Sequence, residues 1–191
     1  MRLETLKKYF LRRLEKQLSP KLTYHGIHHT IDVIKVCEEY IDRLNIEGED
    51  AELLLVGAIL HDSGFLATYQ KHEEKGVEIA RESLPYFGYN NKELKVVEGL
   101  ILATKVPQQP STDLEKIICD ADLDYLGRKD FYPIGESLFT ELKHFVNLTD
   151  RDQWNKIQIK FLSGHHYHTE WAREVRAPVK ANYLEEIKAL V

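Results

Sequence analysis

Residues 51–65, AELLLVGAILHDSGF, constrain this chain more than any other stretch. From position 53 to position 60 every residue is apolar or glycine, so a helix here has no face left for water and has to be buried. The run is too short to cross a bilayer. It ends in His61 and Asp62, an imidazole beside a carboxylate. A carboxylate carried into a core is costly unless a cation or hydrogen-bond donors meet it. The fold therefore has to bring something to Asp62.

Helical periodicity accounts for most of the remaining sequence. Leu6, Tyr9, Phe10, Leu14 and Leu18 predict an amphipathic helix over 2–18, ended by Ser19-Pro20. A second helix is predicted over 27–44, closed by Asn45 and Gly48, and Asp50 is a candidate cap for the buried helix over 51–61. Further helices are expected over 73–84, 92–104, 113–126 (capped by Ser111 or Thr112), 134–146, 150–163, 168–176 and 179–190. No alternating, β-branched run is long enough for a strand. With 191 residues and no linker or repeat, one all-α domain is expected. The net charge is −5 and the basic residues are scattered, which argues against a nucleic-acid polymer as partner. Cys37 and Cys119 each sit in an apolar helical pattern and read as buried thiols. The N-terminal run is charged throughout and no stretch suits a membrane, so a cytoplasmic protein is expected. The first helix can pack on its own body or on a second subunit, which leaves a homodimer open.

Two helices can be read face by face. In 27–44 the buried stripe is Val33, Val36, Cys37, Tyr40, Ile41 and Leu44, and one turn before Val33 lies His29. His28 belongs to the polar face with Asp32, Lys35, Glu39 and Asp42. His25 precedes His29 by four residues and falls near the mouth of whatever His29 lines. In 113–126, Leu114, Ile118, Asp122 and Leu126 share a face, so Asp122 points inward. Asp120 groups with Asp113, Lys116 and Asp124 toward water, although a small change of register would exchange Asp120 and Asp122. Three buried helices thus contribute His29, the His61-Asp62 pair and Asp122. Two imidazoles and two carboxylates suit one divalent ion such as Mn, Fe, Co, Ni or Mg, and no thiolate favours structural zinc.

In order and type these residues resemble the HD-domain superfamily of metal-dependent phosphohydrolases. YHGIHHTIDV at 24–33 is similar to the first-histidine motif, and LHDSGF at 60–65 to the His-Asp motif with its following glycine. HEEKGVEIARESL at 72–84 and CDADLDYLG at 119–127 look like two later motifs, the last carrying the final aspartate. The resemblance covers about residues 20 to 130. It implies an all-α HD-type bundle, with the helices of 131–191 packed on the motif core, and His29, His61, Asp62 and Asp122 as metal ligands. Where some members place additional histidines this chain has Thr104 and Lys105, which favours one metal over two.

The chemistry implied is hydrolysis of a phosphomonoester or phosphodiester by a metal-activated water, with a small phosphorylated substrate, a nucleotide being one class. Asp62 can orient the water, His25 can protonate the leaving oxygen, and His72 can line the site. Lys105 and the segment carrying His165, Arg173, Arg176 and Lys180 are the candidate phosphate clamps, against the plainer reading of a solvated terminal helix. The tract His165-His166-Tyr167-His168 is a weaker candidate for a second metal. The alternative function is a metal- and nucleotide-binding regulatory module with little turnover. A third is a structural helical protein without metal.

Overall fold

The buried run forms helix α3 (Gly48–Leu60), in which Leu54, Val56, Ala58, Ile59 and Leu60 have no exposed surface. A computed structural model, which describes residues 2–191, surrounds it with α1 (Arg2–Gln17), α2 (Ile27–Leu44), α5 (Asn91–Ala103) and α6 (Asp113–Asp122), all packed directly on α3. α4 (His72–Ser83) lies against α5 and against the 3-10 turn Ser63–Leu66 that follows the His-Asp pair. α7 (Phe131–Phe145), α8 (Arg151–Gly164), α9 (Glu170–Val175) and α10 (Ala177–Lys188) build a second apolar cluster. Trp171 packs against both clusters. Among the described residues there are ten α-helices and no strand, the all-α fold expected from the sequence.

Local chemistry sets several boundaries. Asn90 and Thr112 close capping boxes with Glu93 and Glu115 at the starts of α5 and α6. Asn45 ends α2 in the left-handed conformation, with φ of 51°. Gly48 has φ of 63° and already begins α3, so Glu47 is the cap position and Asp50 falls inside the first turn instead of capping it. A carboxylate there still favours the positive end of the helix. α6 is shorter than its apolar pattern suggests: it stops at Asp122, and Asp124–Gly127 form a 3-10 turn.

α1 packs on its own chain. Leu6, Phe10 and Leu14 are at most 1 % exposed, each contributing about 1.5–3 kcal/mol of burial. Arg2 clasps the other end, with Nε 2.6 Å from Glu52 Oε1, Nη2 2.5 Å from Glu93 Oε1, and Nη1 donating to Gly88 O at 3.1 Å. Tyr9 and Leu44, assigned to buried stripes by spacing, are each half exposed. Cys37 and Cys119 are buried free thiols, as expected.

The polar face assigned to α6 is the largest departure from the sequence reading. Asp120 and Asp124 are at most 1 % exposed, because the C-terminal segment covers them. Asp120 accepts the backbone N–H of His168 and of Thr169, both at 2.8 Å, and the Thr169 hydroxyl at 2.7 Å, which anchors the start of α9. Asp124 accepts Arg176 Nε at 2.7 Å. Arg128 meets both oxygens of Asp32, at 3.1 and 2.8 Å, and so ties α2 to the chain just after α6.

Gly64 governs the position of the His-Asp turn. A Cβ there would stand 1.8 Å from the carbonyl oxygen of His72 and 2.9 Å from the Gly76 nitrogen, both backbone atoms of α4. Only a residue without a side chain lets the turn approach α4 this closely. Gly64→Ala is therefore expected to destabilise the fold by at least the ~1–3 kcal/mol typical of overpacking. The measurement is urea unfolding, and a variant as stable as wild type would refute the close approach.

Candidate metal centre and its cavity

Four element ends converge. The first turn of α2, held by the His29 N–H to Gly26 O bond of 3.0 Å, presents His29. The end of α3 presents His61 and then Asp62, the end of α6 presents Asp122, and the start of α4 presents His72. His61 is fully buried, and its Nδ1 donates to Ala58 O at 2.9 Å. That bond turns Nε2 toward the other ligand candidates, as is usual for metal-binding histidines. His61 Nε2 lies 3.3 Å from His29 Nε2 and 3.3 Å from Asp62 Oδ2. His29 Nε2 lies 3.0 Å from Asp122 Oδ1 and 3.5 Å from Asp62 Oδ2. His29, His61 and Asp122 each offer a ligand atom within 4.8 Å of the other two.

The electrostatics of this cluster are those of a site built around a cation. Asp62 Oδ2 is buried and makes no well-formed hydrogen bond, with the imidazole nitrogens of His61 and His29 at 3.3 and 3.5 Å. Burial alone would raise the Asp62 pKa, but the adjacent His61 outweighs it and holds the carboxyl well below the usual range. Burial likewise opposes the His61 imidazolium, yet Asp62 and then Asp122 raise it to about 9. Without a cation, the protein balances Asp62 by protonating His61. The donor set of two imidazole nitrogens and the Asp122 carboxylate, with the Asp62 carboxylate beside them, fits a divalent ion. Gln108 supports Asp122, its Nε2 lying 3.5 Å from Oδ2 and 3.2 Å from Cys119 O. Tyr24 stacks on His29 at 4.9 Å between centroids.

Beside the cluster lies a cavity of about 260 Å³, lined at one end by Asp62, Asp122, His25 and His72. His25 is held by Glu141, which the sequence reading did not single out. Nδ1 of His25 is 2.5 Å from Glu141 Oε1, and Oε2 accepts the backbone N–H groups of Tyr24 and His25 at 2.8 and 2.9 Å. Tyr69 donates to Oε1 at 3.2 Å. Burial works against the His25 imidazolium, but the Glu141 hydrogen bond and the nearby carboxylates together raise its pKa. Glu141 itself is held below the usual carboxylate range: burial would raise it, and the His25 contact prevails. A signal was present in the sequence, since Glu141 shares a helical face with Ile134, Leu138 and Phe145. Phe65 stacks on both His25 and His72, at 4.3 and 4.0 Å. His72 Nε2 stands 3.6 Å from Asp62 Oδ1.

The structure does not bring the expected phosphate clamps to this cavity. Lys105 is exposed and paired with Glu74. Arg173 is exposed and donates to His168 O at 2.7 Å. Lys180 is buried and donates to Leu162 O at 3.1 Å and to His165 O, so it satisfies carbonyls at the end of α8, and burial pushes its pKa down. Arg176 is occupied by Asp124. His165, His166 and His168 line an adjoining groove that shares Val106, Leu123, Ile157 and Phe161 with the cavity. Among the described residues, His29, His61 and Asp122 are the one group of three that could hold a metal.

Comparison with known proteins agrees with this geometry. An uncharacterized protein of Clostridium beijerinckii is 31 % identical over 101 residues, which cover 49 % of this chain and 62 % of that relative's length. The crystal structure of a predicted HD superfamily hydrolase from an uncultured Thermotogales bacterium superposes with a TM-score of 0.63. The match covers 98 % of this chain and 90 % of that one at 20 % identity, a likeness of fold. The HD domain family matches residues 26–124, a span that runs from the N-cap of α2 past Asp122 and takes in all four ligand candidates. The chain belongs to the HD-domain family.

Proposed function

We propose that the protein is a phosphohydrolase that cleaves a phosphate ester at a single divalent cation held by His29, His61, Asp62 and Asp122. The observation that carries this reading is the buried Oδ2 of Asp62, which makes no well-formed hydrogen bond and stands 3.3 and 3.5 Å from two imidazole nitrogens, beside a second carboxylate and a cavity. When bound, the cation supplies Lewis acidity toward a phosphoryl oxygen and makes water acidic enough to attack phosphorus at neutral pH. The protein groups supply position and protons. Asp62 and His72 face the same corner of the cavity and can orient water through hydrogen bonds. His25 is the proton donor to the leaving oxygen. Glu141 fixes its Nδ1, leaving Nε2 for transfer, and holds it protonated to higher pH than an exposed imidazole. The absence of any membrane-spanning helix among the described residues is compatible with a small, diffusible ester as substrate.

Metal content and thermal melting test the ligand set together. Protein purified without chelator is expected to carry close to one divalent ion per chain, and Asp62→Ala none. Manganese at 100 times its Kd should stabilise wild type by about 2.7 kcal/mol and leave the variant unmoved. Failure of wild type to bind manganese, cobalt or nickel would sink the proposal.

The His25–Glu141 pair makes a separate prediction. Glu141 raises the His25 pKa, so a rate that depends on the protonated imidazole falls as pH rises through that value. Glu141→Gln removes the raising contact and should move the alkaline limb of kcat to lower pH. His25→Asn should lower kcat by about 10²–10⁴ with metal content unchanged. A pH profile in Glu141→Gln identical to wild type would remove His25 from the proton-donor role.

A further inference from the structure

The cavity is divided sharply in chemistry. Its metal end carries Asp62, Asp122, His25 and His72, with Glu73 beside them. The rest of its lining is mostly apolar, led by Leu126, Phe131, Leu138, Leu142, Trp154 and Phe161, with Gln158 as the one side-chain amide. The hydroxyls of Tyr69 and Thr104, which also line it, are spent on Glu141 and Ile101 O, and those of Tyr24 and Tyr125 on each other. Among the described residues that line the cavity, none is lysine or arginine. The candidate cations elsewhere are spent on partners: Lys105 on Glu74, Arg176 on Asp124, and Lys180 on backbone carbonyls.

This arrangement limits the charge that can enter. A polyphosphate needs cationic side chains along its length, and here three carboxylates already face the space. One divalent ion and His25 can meet a single phosphoryl group, and no further cationic side chain lines the cavity to meet a second. Most of the remaining lining is hydrocarbon and aromatic rings, where burial of apolar surface is the main source of affinity. A base and ribose would bury several donors and acceptors with Gln158 as the main polar partner, at a cost for each one unmet.

We propose that the substrate is the phosphate monoester of a compact apolar alcohol or phenol, its alkyl or aryl body seated against Leu138, Leu142 and Trp154. This assignment rests on the phosphohydrolase reading above. It departs from the nucleotide that the family resemblance brings to mind. In the reaction a P–O bond from water forms and the ester P–O bond breaks. One water proton remains on inorganic phosphate and the other passes to solvent, while the leaving alkoxide takes a proton from His25, which solvent restores.

The test is calorimetric titration of the manganese-loaded full chain with methyl-, propyl- and hexylphosphonate, which cannot be hydrolysed at the P–C bond, and with AMP and ATP. Phosphate release from the corresponding alkyl phosphates and from AMP is measured in parallel. Affinity is expected to rise by about four-fold per methylene as the chain fills the cavity, and hexylphosphonate should outbind both nucleotides. Leu138→Trp, which fills the apolar end, should flatten the gradient, with Leu142→Phe as the second variant and thermal melting as the check on folding. A flat series in wild type, no phosphonate binding, or tighter binding of AMP or ATP overturns the proposal. The two readings separate cleanly. A gradient in binding with no ester hydrolysed would overturn the phosphohydrolase reading and support the apolar-bodied ligand, whereas hydrolysis without a gradient would overturn the substrate class alone.

Discussion

The Asp62 carboxylate follows a helix whose last eight residues are all apolar or glycine, and its Oδ2 is buried without a well-formed hydrogen bond. The fold arranges itself around the cost of burying that charge. His61 is turned by its bond to Ala58, His29 comes from the first turn of α2, and Asp122 comes from the last turn of α6. Each of these groups is itself expensive to bury, so none is explained by packing alone. Together with a divalent ion they form a balanced set. Without one, the protein holds a proton on His61 against two carboxylates.

Rigid supports keep the four groups in register. Gly64 brings the turn after Asp62 onto α4, which delivers His72 and sets Phe65 against both outer histidines. Arg128 bridges to Asp32, three residues beyond His29, and so links the helix carrying one ligand to the segment following another. Asp120 is used structurally two residues before Asp122 is offered to the site. The neighbouring acids of CDADLDYLG therefore divide between anchoring α9, facing the metal centre and pairing with Arg176.

The second helical cluster makes an enzyme-like site out of a metal-binding motif. α7 contributes Glu141, which immobilises His25, and α7 and α8 contribute the apolar walls. The ligand cluster needs only the first six helices, whereas the cavity exists only where the C-terminal helices lean over it. The candidate ligands all lie in the first two thirds of the chain, and much of the apolar lining of the cavity comes from the C-terminal third.

Several features were legible in the sequence because they depend on local spacing. The apolar run of α3 has to be buried in any fold, helical period separates inward His29 from outward His28, and the cap of α6 was narrowed to Ser111 or Thr112, of which Thr112 is the one used. The inward reading of Asp122 likewise needed only its position relative to Ile118. What spacing could not decide was which outward faces another segment would cover. Asp120 and Asp124 lie on a face that is polar by pattern, and they are buried because a chain segment about 50 residues later folds over them. Lys180 and Arg176 follow a helical segment as a phosphate clamp might, yet their partners are a helix end and a buried acid. Periodicity reports the preference of one helix for water or oil. The pairing of Glu141 with His25, across 116 residues, is set by how helices pack, and only the tertiary structure decides that.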